Sequence, residues 1–164
     1  MPARALLTDA AIVIGVLLLL AVVAGLLWPQ LVDPVQFTRT RQGVVSGEVQ
    51  IARQFDDDGW YVVLAAIIGA VAGGVLTWWR SRDPVATVLL LVLGAAAAAW
   101  VMALVGHAVG PPSPGPLLAD ARIGATAPDE VKVHALAAYL VWPIAVLFGA
   151  VAVLWASRGS HPGE

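Results

Sequence analysis

Residues 56–83 read DDDGWYVVLAAIIGAVAGGVLTWWRSRD, and this stretch decides the fold. Its central 20 residues, 60–79, carry no charge. At a helical rise of about 1.5 Å per residue they cover the roughly 30 Å hydrocarbon core of a bilayer. Tryptophans stand at both ends of this segment, where amphipathic rings favour the headgroup level. The stretch therefore predicts a transmembrane helix.

The charges that flank this helix give it a direction. Three consecutive aspartates precede it, whereas Arg80 and Arg82 follow it. Cytoplasmic flanks of membrane helices carry an excess of Arg and Lys, so the arginine end is predicted to face the cytoplasm. With four crossings, both termini of the chain then lie in the cytoplasm. The predicted localisation is the bacterial plasma membrane, as a multi-pass protein in contact with the lipid bilayer.

The composition agrees with a membrane protein. Hydrophobic residues make up 60% of the chain and charged residues 12%, and the mean hydropathy is +0.85. These values lie far from those of a soluble domain. The net charge of −2 offers no basic surface for nucleic acid. The chain has no cysteine, which excludes disulfides, thiolate metal sites and iron–sulfur clusters. No cofactor is expected.

Four apolar segments have the length of a membrane span. We predict an all-α membrane protein, a single domain over residues 1–164, with crossings at 10–28, 60–79, 84–106 and 133–156 arranged as two helical hairpins. A cleaved signal peptide is the alternative for the first segment. Against it, the apolar run exceeds the usual 7–15 residues and ends at an interfacial Trp28. Pro143 predicts a kink in the fourth crossing.

The two connections on the acidic side, residues 29–59 and 107–132, are predicted to form a small extracytoplasmic cap. In the first connection, residues 35–41 alternate in part, Gln42-Gly43 is a turn signal, and β-branched residues follow within 44–55, with Gly47 as a bend. This pattern favours a β-hairpin, and an irregular connector is the alternative. In the second connection, residues 127–130 (Ala-Pro-Asp-Glu) predict the start of a helix.

Small residues mark the surfaces on which the helices are predicted to pack. Helices in lipid associate through close contact of such residues. Several recur at a spacing of four, which places them on one helix face. The candidate packing residues are Ala65, Gly69, Gly73, Gly94, Ala98 and Gly149. Packing within the bundle is the simpler interpretation, and a seam between two copies of the chain is the alternative, so a homo-oligomer is left open.

Polar residues gather at the predicted outer ends of the helices. They are Asp56, Asp57, Asp58, His107 and His134. The two histidines suggest a pH-sensing or metal-binding pair, but two ligands fall short of the three or four of a zinc site. The aspartates lack the alternate spacing of an EF-hand loop. We therefore favour capping of the second span by Asp57 or Asp58, and expect the principal pocket near Asp58 and the histidines.

Two tryptophans lie inside predicted spans instead of at their ends. Trp100 and Trp142 both fall about a third of the way in from the outer face. Buried indole rings usually donate their N–H to a partner. We expect both rings to pack within the bundle.

Several short motifs occur in an order that suggests a family. They are Leu26-Leu27-Trp28-Pro29, Asp58-Gly59-Trp60, Trp78-Trp79-Arg80, the Leu-Val-Leu-Gly run at 91–94, and Trp142-Pro143. This order resembles a family of small actinobacterial four-span membrane proteins of uncharacterised function. The resemblance covers nearly the whole chain. It implies the four-span architecture and brings no activity or site residues.

Motifs that would indicate an enzyme are missing from the sequence. It has no Gly-x-Ser-x-Gly, no His-Glu-x-x-His, no P-loop and no dinucleotide fingerprint. The leading hypothesis is a non-enzymatic accessory or scaffold subunit that binds another membrane or envelope protein. The alternative is a small transporter or channel for a cation or an apolar molecule. Transporters usually bury ionisable groups at mid-membrane, and the four predicted spans contain no Asp, Glu, Lys or Arg.

Overall fold

The computed structural model describes residues 3–45, 54–80 and 83–158. Over these residues the protein is mostly helical and contains a small three-stranded sheet. Four helical segments are long and apolar enough to cross a membrane. They correspond in order to the four segments predicted from hydropathy.

The first three long helices extend beyond the apolar runs that predicted them. Their bounds are α1 Ala3–Leu31, α2 Gln54–Arg80, α3 Pro84–Val109, the short α4 Pro114–Ala119 and α5 Val141–Arg158, with a 3₁₀ turn at Leu136–Leu140 before α5. Hydropathy marks only the apolar part of a helix, whereas the backbone hydrogen bonds continue into polar sequence. The first helix therefore begins well before residue 10 and passes through Pro29.

Local signals set the limits of α3. Asp83 stands at its N-cap, where Oδ1 accepts the N–H groups of Val85 and Ala86, both at 3.1 Å. This carboxylate satisfies two amides that have no partner inside the helix. At the other end, the N–H of Gly110 donates to the carbonyl of Gly106 at 2.9 Å, and two prolines follow. The prolines prevent the helix from continuing.

The fourth long helix starts later than predicted, and a 3₁₀ turn precedes it. Residues 133–135 are not helical, and the 3₁₀ turn precedes α5. Pro143 lies in the first turn of α5, where a missing N–H leaves no α-helical hydrogen bond unmade. Pro143 therefore lies at the start of the α-helix and not in its middle, where the prediction of a kink had placed it.

The helices do not pair as the two predicted hairpins. α1 packs most extensively on α3, and α2 on α5, whereas α1–α2 and α2–α3 meet over much less of their length. Around the bundle the order is α1, α3, α5, α2. Since consecutive helices run in opposite directions, both close pairs are parallel. The prediction paired helices that are consecutive in the chain, whereas small residues bring the backbones of α2 and α5 together, as described below.

The core runs along the bundle axis and is formed by apolar side chains from all four long helices. The largest buried side chains are Trp28, Trp142, Tyr61, Leu17, Leu91, Met102, Val13, Val131 and Val146. The predicted burial of Trp142 is confirmed. Trp100 is 59% exposed, so its predicted burial is wrong, because Ala98, Ala99 and Met102 occupy the inward face of α3. Trp28, predicted to be interfacial, is 0% exposed.

The connections between α1 and α2 and between α3 and α5 form a three-stranded antiparallel sheet. Strand β1 (Gln36–Thr40) lies between β2 (Gly43–Val45) and β3 (Thr126–Pro128). Residues 41–42 form the turn into Gly43, whose φ of 130° favours glycine. The predicted hairpin is thus present as far as Val45. The remainder of its second strand, including the predicted bend at Gly47, falls in 46–53, outside the described residues.

Strand β3 replaces the helix start predicted at residues 127–130. Ala127 is paired with Phe37, and the N–H of Asp129 donates to the carbonyl of Val35 at 2.7 Å. The prediction was wrong because pairing with a strand distant in sequence overrides a local helix signal. Pro128 is tolerated because β3 is an edge strand, where a missing N–H breaks no ladder.

Candidate functional site at the outer end of the bundle

Asp58 links α2 to the segment that precedes the 3₁₀ turn and α5. Its Oδ1 accepts the N–H of His134 at 2.8 Å, and its Oδ2 accepts the N–H of Ala135 at 2.9 Å. These amides directly precede the 3₁₀ turn, so they need partners outside it. The predicted capping of the second span is corrected here. Because α2 begins at Gln54, the aspartates lie inside the helix and Asp58 is free to bond elsewhere.

The three aspartates do not form a cluster. Asp56 is exposed, Asp57 is 8% exposed, and Asp58 is half-buried against the fourth segment. Successive side chains on an α-helix point about 100° apart, which separates the three carboxylates. Asp57 contributes through its backbone as well, because its carbonyl accepts the indole N–H of Trp28 at 2.9 Å. Asp57 and Asp58 therefore have different structural roles, whereas Asp56 is exposed.

Buried aromatic donors connect the four long helices at this end. The indole of Trp28 on α1 bonds to α2, as described above. The hydroxyl of Tyr61 on α2 donates to the carbonyl of Ala99 on α3 at 2.8 Å. The Nε1 of Trp142 on α5 lies 3.3 Å from the Sδ of Met102 on α3. These contacts fix the helices relative to one another, because a buried donor without an acceptor costs stability.

A row of aromatic rings continues from the core to the surface. Trp28 and Tyr61 meet edge to face, with centroids 5.3 Å apart. Tyr61 is followed by Tyr139 at 5.9 Å and then by Trp100 at 4.7 Å. Trp100 therefore covers Tyr139 from outside instead of filling the core. Sequence reasoning missed this row, and the concentration of aromatic residues near the predicted outer ends was its only signal.

The two histidines are held by different contacts. Nδ1 of His107 lies 3.2 Å from the carbonyl of Val131, to which it can donate. The backbone N–H of His134 donates to the carboxylate of Asp58. His107 and His134 are both exposed. Within the described ranges, no group of three or more His, Asp or Glu residues is placed to hold a metal ion. The two histidines therefore contact different partners at separate positions at this end of the bundle.

An ion pair in the connection between α3 and the 3₁₀ turn was not predicted from the sequence. Nζ of Lys132 donates to Oε1 of Glu130 at 2.8 Å, and the hydroxyl of Ser113 donates to Oε2. The bond from Lys132, and then that from Ser113, lowers the pKa of Glu130, while Glu130 raises the pKa of Lys132. Solvent-exposed pairs of this kind contribute little to stability. Their effect is to orient the connection.

Arg39 joins the sheet to α4. Its guanidinium donates to the carbonyls of Leu118 and Ala119, at the C-terminal end of that helix. The last carbonyls of a helix have no partner inside it and carry partial negative charge, so a cation there is favourable. Arg39 itself belongs to β1, the central strand. The sheet, α4 and the ion-paired connection together make up the cap.

The predicted packing residues lie at helix contacts of different closeness. A Cβ added to Gly73 would lie 2.1 Å from the carbonyl oxygen of Val146, and one added to Gly149 would lie 2.0 Å from that of Ala70. The remaining members make looser contacts: Gly69 (3.0 Å to Ala145 Cβ), Gly94 (2.8 Å to Leu17 Cδ1), and the buried Ala65 and Ala98. The backbones of α2 and α5 touch at Gly73 and Gly149.

The principal pockets do not lie where the sequence suggested. A pocket of about 340 Å³ does adjoin Asp58, lined also by Val62 and Val141. Two apolar grooves are larger, one of about 410 Å³ between α1 and α2 and one of about 500 Å³ between α2 and α5. The expectation of a principal outer pocket near Asp58, His107 and His134 is therefore wrong. The pocket beside Asp58 is the smallest of these three, and neither histidine lines it.

Comparison of the chain with protein-family models, with curated proteins and with solved structures finds no match. The function is therefore argued from the residues themselves.

Replacing Asp58 by alanine is expected to lower the free energy of unfolding by about 1–2 kcal/mol, because two amides lose a charged acceptor. Thermal unfolding in a mild detergent measures the effect. Asp56→Ala is the matched control, since it removes an exposed carboxylate from the same run and should change stability by less than about 0.5 kcal/mol. Equal losses in the two variants would contradict a specific role for the bonds to His134 and Ala135.

Proposed function

We propose that the protein is a multi-pass protein of the bacterial plasma membrane, with both termini in the cytoplasm and the cap outside. The four long apolar helices support the crossings. Arg80 is the last residue of α2 and Arg82 comes two positions later in the sequence, and arginines beside a span weigh most in setting orientation. The resemblance to small actinobacterial four-span proteins belongs to the same proposal, and rests on the order of the sequence motifs.

The orientation predicts the behaviour of reporters fused to the chain. A reporter after Glu164 should behave as cytoplasmic, and one inserted near Gly43 should behave as external, because the arginine-flanked end of α2 remains inside. Paired alkaline phosphatase and fluorescent protein fusions distinguish the two compartments. Reversed signals at both sites would overturn the orientation.

Within that topology, we propose a non-enzymatic accessory or scaffold subunit that binds another membrane or envelope protein. The observation that carries this proposal is a filled interior. Leu17, Leu91 and Met102 are fully buried along the axis. Between α2 and α5 the backbones are in contact at Gly73 and Gly149. A conducting path needs polar groups through the hydrocarbon region. Among the described residues, the buried polar side chains lie near the two ends: Asp57, Thr77 and Thr87.

The cap supplies a surface on which a partner would dock. Three apolar side chains of the cap are largely exposed: Ile123 (64%), Leu117 (52%) and Val45 (50%). Outside the bilayer, exposed apolar side chains are candidates for a protein interface. Asp58 on α2 holds the segment that follows the cap, and Arg39 holds the sheet against α4 within the cap. An apolar surface held in this way on a membrane anchor suits a subunit that positions a second protein.

Copurification in a mild detergent tests the scaffold role. We expect one envelope protein to copurify in fixed ratio, and Ile123→Asp to release it because a charge would be buried in the interface. Gly115→Asp is the matched control, since it adds the same charge at an open position on the neighbouring α4. Retention of the partner by Ile123→Asp, or equal loss in both variants, would contradict docking on this surface.

Ion flux distinguishes the scaffold from a transporter. In liposomes, the protein should leave proton, sodium and potassium fluxes at background, because its interior is packed with apolar side chains. A reproducible flux that His107→Ala abolishes would replace the scaffold proposal with transport.

A further inference from the structure

The groove between α1 and α2 is apolar and lies on the outside of the bundle. Its volume is about 410 Å³, and all the residues that line it are apolar. On α1 they include Val16 and Leu20, and on α2 they include Ile67, Val71, Val75 and Trp79. The side chains of Val71 and Val75 are 62% and 53% exposed, so the groove is open at the surface of the bundle.

The groove occupies one half of the membrane thickness. At the outer end α1 and α2 are joined by the bond from Trp28 to Asp57, and the groove opens below that contact. Twelve residue steps separate Ile67 from Trp79, which is about 18 Å at the α-helical rise. One leaflet of a roughly 30 Å hydrocarbon core is about 15 Å deep. The groove therefore matches the length of one leaflet, whereas a docked transmembrane helix would need the full thickness.

Basic residues stand at the inner end of both helices that form the groove. α2 ends at Arg80, directly after Trp79, and α1 carries the exposed Arg4 in its first turn. The acidic residues in this region are Asp9 on α1 and Asp83, whose carboxylate caps α3. Basic pockets between helices on the cytoplasmic side attract anionic headgroups. An indole at the same level also favours the interface.

We propose that this groove binds one acyl chain of an anionic phospholipid from the inner leaflet, with the lipid phosphate at the Arg4 and Arg80 end. The proposal rests on the membrane insertion proposed above and is independent of a scaffold role. Three features together specify this occupant. The groove has the length of one leaflet, its lining is apolar, and the two helices that form it carry basic residues at their inner ends. The groove between α2 and α5 lacks that combination, because its lining runs from Ala66 and Val141 toward Phe148 without reaching a basic helix end.

Lipid retention tests the headgroup part of the proposal. The full-length protein is incubated in mild detergent with equimolar phosphatidylglycerol and phosphatidylcholine of identical acyl chains, and bound lipid is counted by native mass spectrometry. One arginine near the phosphate should favour the anionic lipid about fivefold. Arg80→Gln should bring the ratio close to one, and Arg80→Lys should restore it. Equal retention of both lipids by the unmodified protein would overturn the proposal.

A second pair of variants tests the position of the chain. Val75→Trp places a large ring in the groove and should reduce retention of phosphatidylglycerol severalfold. Leu93→Trp is the matched control, since Leu93 is 65% exposed in the same half of the bundle, on α3, and lies outside the groove. Its retention should equal that of the unmodified protein. Undiminished binding by Val75→Trp, or an equal loss in both variants, would place the lipid elsewhere and refute the groove.

Discussion

Alanine at Gly73 or at Gly149 is expected to lower the free energy of unfolding by about 2–3 kcal/mol. The added methyl group would lie 2.1 Å from a carbonyl oxygen of α5 in the first case, and 2.0 Å from one of α2 in the second. A backbone oxygen cannot rotate away as a side chain can, so the two helices must separate along their whole contact. Alanine also favours a helix over glycine by about 1 kcal/mol, which offsets only part of the loss.

Two other glycines calibrate this effect by thermal unfolding in mild detergent. Gly15 lies in α1 with nothing within 4 Å of an added Cβ, so Gly15→Ala should be neutral or slightly stabilising. Gly69 meets the Cβ of Ala145 at 3.0 Å, and its substitution should fall between the extremes. If Gly73→Ala unfolds at the same temperature as Gly15→Ala, the close approach of α2 and α5 is refuted.

Replacing Trp28 by alanine should have the largest effect, about 3–5 kcal/mol, because it empties a completely buried site. The substitution also removes the indole donor to Asp57 and the ring that meets Tyr61 edge to face. Thermal unfolding and the near-ultraviolet circular dichroism of the remaining aromatic residues measure the loss. Both signals should change together, since the aromatic row depends on this ring.

Two variants separate volume from hydrogen bonding at this site. Trp28→Phe keeps most of the apolar volume and loses the donor, so it should cost about 1–2 kcal/mol. Trp78→Ala removes a ring that is 77% exposed and should be nearly neutral in detergent. A Trp28→Ala protein as stable as Trp78→Ala would show that the indole lies at the surface.

The sequence was sufficient to predict the four long apolar helices, but it did not predict which helices pack against each other. The uncharged run 60–79 predicts α2 because few other structures bury that many apolar residues in series. The pairing of α2 with α5 was not predictable, because the chain has 16 glycines and many offer a similar spacing. Among the glycines that the structure describes, Gly73 and Gly149 make the closest approach between these backbones. Which small residues meet depends on helix rotation, which spacing alone does not specify.

The roles of residues at the outer end were predictable in kind but not in detail. Asp58 was expected to bind backbone amides, yet its partners lie 76 and 77 positions away, at His134 and Ala135. A distance of that kind is set by the fold and leaves no local signal. Trp28 was interpreted as interfacial because it ends an apolar run. It is buried because Gly106 on α3 presents no side chain, and an added Cβ there would lie 2.3 Å from the ring.

The pairing of alternate helices determines the order in which the bundle is completed during synthesis. A chain is made from its N-terminus, so α1 and α2 emerge before either of their closest partners exists. α1 acquires its partner when α3 follows, whereas the contact face of α2 at Gly73 must wait for the last helix. A nascent chain that stops before Val141 would contain one finished helix pair and one unmatched helix. The synthesis of α5 is therefore the step that completes the bundle.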